Sequence, residues 1–192
     1  MALFKLIEKP GSDKPRIIHV YGLSGSGKSY YVNERTKALK RAIIDLESGF
    51  RYLLNTGDKY FVTTKASEVL SAFKEAAKDN DVNCIILDGC TTLWILQQAE
   101  KAKTNTNTGV KAVDIGQWGV MKAEIEQALL SLLASEKDVY LIQRAVFEEK
   151  SKTVEPQGTD VFQYYSDVSV YIEKKNSAHS SSVVKQRKKV TA

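Results

Sequence analysis

Thiols and prolines are few: the 192-residue chain has two cysteines, Cys84 and Cys90, and three prolines. Two thiols cannot supply a four-ligand thiolate zinc site. Each falls in or just after an apolar strand-like run, the ordinary setting of a reduced, buried thiol. Also missing is any run of ~18 to 20 apolar residues, the length needed to span a bilayer. The opening MALFKLIEKPGSDKPR has no long apolar centre of the kind a secretory leader carries. These absences set the expectation of a cytoplasmic protein with no membrane partner. Disorder is excluded for the chain as a whole, because 43% hydrophobic and 27% charged residues with 11 glycines match a globule that can bury a core. The length suits one domain, and residues 1–192 are read as a single core domain.

Acidic residues are absent from the last nineteen positions, where Lys174, Lys175, Lys185, Arg187, Lys188 and Lys189 fall. The formal charge is +5, and without these six cations it is −1. A basic terminus on a near-neutral body suits phosphate chemistry or a nucleic-acid partner, and equally a solvated tail.

Short apolar runs alternate with longer stretches of helical period, the pattern of a parallel sheet flanked by helices. Strands are expected at Arg16–Tyr21, Ala42–Asp45, Tyr60–Thr63, Cys84–Asp88 and Asp138–Gln143. Helices are expected over Lys28–Lys40, Ser67–Lys78 and Ile115–Ser135, the last two carrying apolar residues three and four apart. Two polar stretches break the pattern, Lys101–Asp114 and Phe147–Asp160, and both read as loops. Beyond them, Asp167–Glu173 alternates, Lys174–Ser182 is turn-like and Ser182–Val190 can return, which predicts a C-terminal antiparallel β-hairpin at a sheet edge. His19 falls within a strand, packed or satisfied, and His179 within the turn.

Gly22-Leu23-Ser24-Gly25-Ser26-Gly27-Lys28-Ser29 satisfies G-x-x-x-x-G-K-[ST] between a hydrophobic strand and a helical stretch. The glycines allow successive backbone N–H groups to face a phosphate, and the helix N-terminus adds unpaired donors. Lys28 then reaches the β- and γ-phosphates, and Ser29 can ligate the Mg²⁺ that accompanies ATP. Tyr30 is counted with these binding residues; Tyr30 and Tyr31 either flank the nucleotide base or pack the first helix. Cys84-Ile85-Ile86-Leu87-Asp88 is an apolar strand ending in a carboxylate, the form of a Walker B element, with Asp88 as second metal residue.

Hydrolysis needs a group that activates water. Asp45 and Glu47 in AIIDLESG lie on one side if the strand continues, and Glu47, nearer the strand tip, is chosen as the base. Gln143 ends VYLIQ, where an amide can bond the γ-phosphate and pass its state to the polar segment that follows.

This order of elements, GLSGSGKS, IIDLE, IILD, LIQR, a mobile loop and a closing VVKQRKK, resembles the RecA-like recombinase core over roughly residues 16–190. The resemblance implies a three-layer α/β/α P-loop ATPase with a mainly parallel sheet. It assigns water activation to Glu47 and coupling of γ-phosphate to the DNA loop to Gln143. It also implies that Lys185 and Arg187 act in trans on the ATP of a neighbouring subunit; as residues, they equally suit a charged edge strand. The short chain and the Gly116–Gly119 run are similar to core-only ATPases of phages and archaeal viruses, some of which anneal single strands in the host cytoplasm. By the same resemblance single-stranded DNA and a homo-oligomer are partners, with Lys103, Lys111, Arg144, Lys150 and Lys152 as DNA contacts on the two loops. A genome-packaging or helicase-loader switch is the alternative, and a small-molecule kinase a further one, disfavoured by the lack of clustered arginines.

Overall fold

A computed structural model of the chain describes residues 17–104, 111–175 and 178–186. The elements run β1 (Ile17–Gly22), α1 (Lys28–Thr36), β2 (Arg41–Asp45), β3 (Lys59–Phe61), α2 (Ala66–Lys78), β4 (Cys84–Asp88), α3 (Cys90–Lys101), β5 (Lys103–Thr104), β6 (Lys111–Ala112), α4 (Ile115–Ala134), β7 (Asp138–Glu148), β8 (Thr153–Pro156), α5 (Val161–Tyr165), β9 (Val168–Lys175) and β10 (Ala178–Gln186).

The main sheet has the order β10-β9-β1-β7-β4-β2-β3. Pairing is parallel from β9 through β3, and only the β9–β10 hairpin and the β7–β8 pair are antiparallel. Residues alternate between two faces, as the period of a strand requires. Ile17, Ile44, Ile85, Leu87, Val139 and Leu141 pack against α2, α3, α4 and α5. Ile18, Val20, Ile43, Ile86, Tyr140 and Ile142 pack on the opposite face with Val32 of α1 and Phe50. The result is the expected three-layer α/β/α sandwich with a C-terminal antiparallel hairpin. Because central parallel strands are covered on both sides, they read as continuous apolar runs, which is why IILD and YLI were legible.

The helices form where their buried positions recur at helical spacing. On α2 these are Val69, Phe73 and Ala76; on α4 they are Met121, Ile125, Ala128, Leu129 and Leu132. Asp114 opens α4 in a capping box with Gln117, its side chain accepting the Gln117 N–H at 2.8 Å.

Several elements differ from the sequence expectations. Helix α3 has no counterpart among the sequence expectations; its Cys-Thr-Thr opening has weak helix propensity and its Leu93–Leu96 run has no polar gap. Helix α1 stops at Thr36, where the Thr36 hydroxyl donates to the Val32 carbonyl at 2.9 Å. Strand β7 does not end at Gln143 but runs on to Glu148 and returns as β8, so the segment read as a mobile loop is largely a β-hairpin. Inside Lys101–Asp114, β5 and β6 pair antiparallel. His179 lies on β10 rather than in a turn, because the hairpin reverses earlier than its polar composition suggests. Among the described residues no helix is long and apolar enough to cross a membrane. Both cysteines are free and buried.

One buried ion pair ties the site-bearing loop after β2 to the body. Arg41, fully buried, donates through Nε to Asp58 Oδ1 at 2.9 Å and through Nη2 to the other oxygen of the same carboxylate. Its Nη1 donates to Asn33 on α1 at 2.8 Å, and Nη2 to the Leu53 carbonyl at 3.2 Å. Removing the carboxylate leaves a guanidinium without its counter-charge in a site that excludes water. Asp58→Ala is expected to lower unfolding free energy by about 3–5 kcal/mol, seen as a lower urea midpoint at unchanged slope. A loss below about 1 kcal/mol, the worth of an exposed pair, would show that Arg41 does not depend on this partner.

Candidate functional site: a phosphate cradle at the strand ends

Strand β1 runs out at Gly22, the cradle turns through Leu23–Gly27, and α1 begins at Lys28. Gly25 and Gly27 hold φ of 73° and 92°, conformations an L side chain resists. A Cβ on Gly27 would also lie 2.8 Å from His179 Nδ1, and one on Gly22 would lie 2.7 Å from Ser26 Oγ. The first turn of α1 has no acidic residue and no side-chain cap, so its backbone donors are left for an anion. Lys28 Nζ donates to the carbonyls of Gly22 at 3.1 Å and Leu23 at 2.9 Å, which holds it at the loop. Ser26 is buried, and its Oγ has no hydrogen-bond partner among the described residues.

A cavity of about 280 Å³ opens over this loop. Ser24, Gly25 and residues 27–30 line it on one side, and Glu47, Gly49, Asp88 and Arg144 on the other. Tyr30 lines the rim and is exposed, Leu23 is exposed, and neither is needed to fill the core. A different cavity, between β3 and α2, is lined by Lys59, Glu68, Glu75 and Asp79 and has no phosphate loop beside it.

Ser29 Oγ donates to Asp88 Oδ2 at 2.7 Å. Burial pushes the Asp88 carboxyl up to about 7, with repulsion from Asp45 and Glu47 adding to it, while Ser29 and Lys28 pull the other way. Burial draws Lys28 below the ordinary lysine range, and Asp88 and Glu47 draw it back. A hydroxyl beside a carboxylate supplies two hard oxygen donors. That donor set fits Mg²⁺, which keeps several waters and takes phosphate oxygens, better than a metal caged by protein alone. Among the described residues no group of three or more His, Cys, Asp or Glu side chains forms such a cage. Gly49 crosses directly beside this pair, since a Cβ there would collide with Asp88 and lie 2.5 Å from Ser29 Oγ.

Asp45 and Glu47 are placed differently in the structure. Asp45 accepts backbone N–H groups of Glu47 and Gly49 at 3.1 Å and of Phe50 at 3.0 Å, plus the Tyr60 hydroxyl at 3.0 Å. It shapes the loop, which includes Ser48 at φ 59°. Glu47, carried on that loop, faces the cavity and accepts from the Thr92 hydroxyl at 2.8 Å and from Arg144 Nε at 2.9 Å.

Gln143 is placed differently from the expectation. Its side chain is fully buried, paired with His19 Nε2 at 2.8 Å through Oε1, and its Nε2 donates to the carbonyls of Gln157 at 2.8 Å and Thr159 at 3.2 Å. It does not line the cavity; its neighbour Arg144 does. The cause is strand parity. On β7 the odd residues Val139 and Leu141 face α3 and α4, and Gln143 follows them; the even residues Tyr140 and Ile142 face α1, and Arg144 follows these. Alternation from Tyr140 was the available signal. Arg144 therefore lies on β7 and lines the cavity at the cradle.

Lys150 and Lys152 are exposed at the turn joining β7 to β8. Lys103 and Lys111 contribute backbone to the β5–β6 pair. Lys185 Nζ donates to the carbonyls of Gln163 and, at 3.0 Å, Tyr164, closing the C-terminal end of α5 in its own chain. Arg187 lies outside the described residues. Two contacts had no sequence signal: His179 Nδ1 lies 2.8 Å from the Ser26 carbonyl oxygen, joining β10 to the cradle, and Thr92 reaches Glu47 from α3.

The sequence profile of a family described as an AAA domain matches residues 14–191. No curated protein matches the chain. Among solved structures, the crystal structure of the RadB recombinase superposes with a TM-score of 0.61 at 15% identity, covering 89% of this chain and 81% of that one. At that identity the likeness speaks for the fold, which is RecA-like.

His19 provides a test of the buried polar link beneath the site. Burial lowers its pKa from 6.5 to about 4, against the raising effect of the Gln143 hydrogen bond. Between those values the unfolded chain binds a proton that the folded chain refuses. Stability therefore falls as pH drops through this window, by about 3 kcal/mol in all. Asp88, whose pKa is raised, acts in the opposite sense, so the His19 part is read as a difference. In denaturant unfolding from pH 7 to pH 4, His19→Gln is expected to lack this loss; identical pH slopes would refute it.

Proposed function

Because the chain belongs to the AAA-domain family of P-loop ATPases, we propose that it hydrolyses ATP while acting on single-stranded DNA in recombination or annealing, as a cytoplasmic homo-oligomer whose residues 1–192 form one core domain. The observation that carries the reading is the convergence of Lys28, Ser29, Asp88 and Glu47 on one cavity over a positive-φ glycine loop.

In this reading the N–H groups of the Gly22–Ser29 loop and the Lys28 ammonium hold the phosphates. Ser29 and Asp88 hold Mg²⁺, which when bound offsets phosphate charge. Glu47, oriented by Thr92, takes the proton of the attacking water. Gln143 has no path to the phosphate without leaving its buried partners, so its part is to tie β7 to the backbone at Gln157 and Thr159, beyond the β8 hairpin.

The DNA side of the reading is supported by that hairpin. Lys150 and Lys152 at its turn can meet phosphates, and Phe147, 53% exposed on β7, can stack on a base. Lys103 and Lys111 on the β5–β6 pair form the second contact. The fold neighbour's being a recombinase agrees with this direction. Lys185, and Arg187 with it, act in trans on a neighbour's nucleotide only once Lys185 leaves the α5 carbonyls, which makes that step dependent on assembly.

The test is steady-state ATP turnover with and without single-stranded DNA. DNA is expected to stimulate turnover, and Glu47→Gln to cut it by about 10²-fold or more, the usual worth of a general base, while nucleotide affinity is kept. Unchanged turnover in Glu47→Gln overturns the base. Absence of saturable ATP affinity, with Lys28→Ala altering nothing, overturns the whole reading. Filaments on DNA in electron micrographs support recombination or annealing, and closed rings without DNA support a packaging or loader switch.

A further inference from the structure

Helix α4 opens with large apolar residues that its packing does not use. Its buried side is made by Met121, Ile125, Ala128, Leu129 and Leu132, whereas Ile115 is 92% exposed and Trp118, one turn on, is 39% exposed. Gly119 comes next. A glycine inside a helix is destabilising relative to alanine, yet a Cβ at Gly119 would meet nothing from the rest of the chain within 4 Å. Packing therefore does not call for this glycine, and its effect is to leave the surface next to Trp118 bare.

The indole is held firmly. Asp114 and Gln117 close a capping box over the first turn of α4. The Trp118 ring lies against Trp94 of α3, with centroids 5.3 Å apart and planes inclined at 48°. Trp94 is buried, and Gly158 crosses it so closely that a Cβ there would lie 3.3 Å from its Cδ1. One turn beyond Trp118, Lys122 Nζ donates to Asp160 Oδ1 at 2.9 Å. Helix α4 thus runs beside the segment that follows β8, while its own start follows β6. Trp118 stands at the junction of two antiparallel strand pairs. One pair, β5–β6, contains Lys103 and Lys111; the turn of the other, β7–β8, carries exposed Lys150 and Lys152.

We propose that Trp118 is a stacking platform for an unpaired base of single-stranded DNA, with the strand passing from the β5–β6 pair over the indole to the β7–β8 turn. Every base has a π-face, so an indole binds it without reading sequence. The side chain offers a large contact area with only two rotatable bonds to freeze, and contact with Trp94 limits even these. Lysines on either side meet phosphates and set the path of the backbone. The core of a protein interface is instead poor in lysine, and the bases of a duplex are already stacked on one another. The platform rests on the single-stranded-DNA reading above and adds a ring to Phe147, on a helix rather than on either polar segment.

Fluorescence and affinity test it together, because the chain has two tryptophans and Trp94 is buried. Titrating the full chain with oligothymidylate is expected to quench its emission. Trp118→Leu is expected to remove the quenching and to weaken binding about tenfold, the scale of one base on one ring. Trp118→Phe, which keeps a π-face, is expected to stay within about threefold of the unaltered chain. An abasic oligomer of equal length is expected to bind the unaltered chain and Trp118→Leu alike. The slope of log affinity against log salt is also expected to match in the two, since no phosphate contact is lost. Equal affinity of all three chains for oligothymidylate, or the same loss on the abasic oligomer, overturns the platform while DNA binding stands. A changed oligomeric state of Trp118→Leu without DNA, at unchanged DNA affinity, marks a protein interface and likewise overturns it. Should Trp118→Leu not fold by circular dichroism, absence of quenching in the unaltered chain is the overturning result. If the unaltered chain binds no oligonucleotide, the platform and the DNA reading fall together.

Discussion

Three parallel strands, β1, β4 and β2, end nearly level beside the continuing β7, and everything at the site depends on that alignment. Register sets Gly22 opposite Arg144, Asp88 opposite Ile142 and Asp45 opposite Asp88. Side-chain alternation then places Asp45, Asp88 and Arg144 on the face shared with α1, whose N-terminus bears Lys28 and Ser29. A shift of one residue in any strand would move its functional group to the opposite layer. The apolar runs that precede these residues are what prevent the shift, since Ile43, Ile86 and Ile142 each fill the α1 side of the core.

The same arrangement brings acids together at a cost. Desolvation raises the Asp88 pKa, and the nearby charges of Asp45 and Glu47 raise it further. Each carboxylate has its own compensation. Asp45 gathers three backbone N–H groups, Glu47 has Thr92 and Arg144, and Asp88 has Ser29. Asp88 is the least compensated of the three. A divalent cation at Ser29 and Asp88 would reverse the local balance, favouring the ionised carboxylate that burial disfavours. The strain of the cradle follows similar logic: glycines carry the positive φ angles, and the polar groups left over are donors facing an anion site.

Local signals had already located much of this. The glycine pattern, the strand-ending Asp88, the four central strands β1, β2, β4 and β7 and the terminal hairpin could be read because each is announced by neighbouring residues: permissive glycines, apolar runs, alternation. Helix α3 and the β7–β8 hairpin were hidden. The opening of α3 is weakly helical by itself and forms because Leu93 and Trp94 find the core. Strand β8 exists through pairing with β7, where Ala145 meets Pro156 and Phe147 meets Val154, and polar composition made it look like a loop. Gln143 falls within β7 rather than at its end, and its amide points into a buried link with His19.

The amino-acid sequence by itself determined the layered parallel sheet and the phosphate cradle, because strand burial, glycine freedom and the strand–loop–helix order are encoded within a few residues of each other. Only the tertiary structure decided which polar groups meet. Arg144 and Glu47 are 97 positions apart, and His179 and Ser26 are 153 apart. Whether such residues touch depends on strand order, register and parity taken together, and these are properties of the assembled sheet.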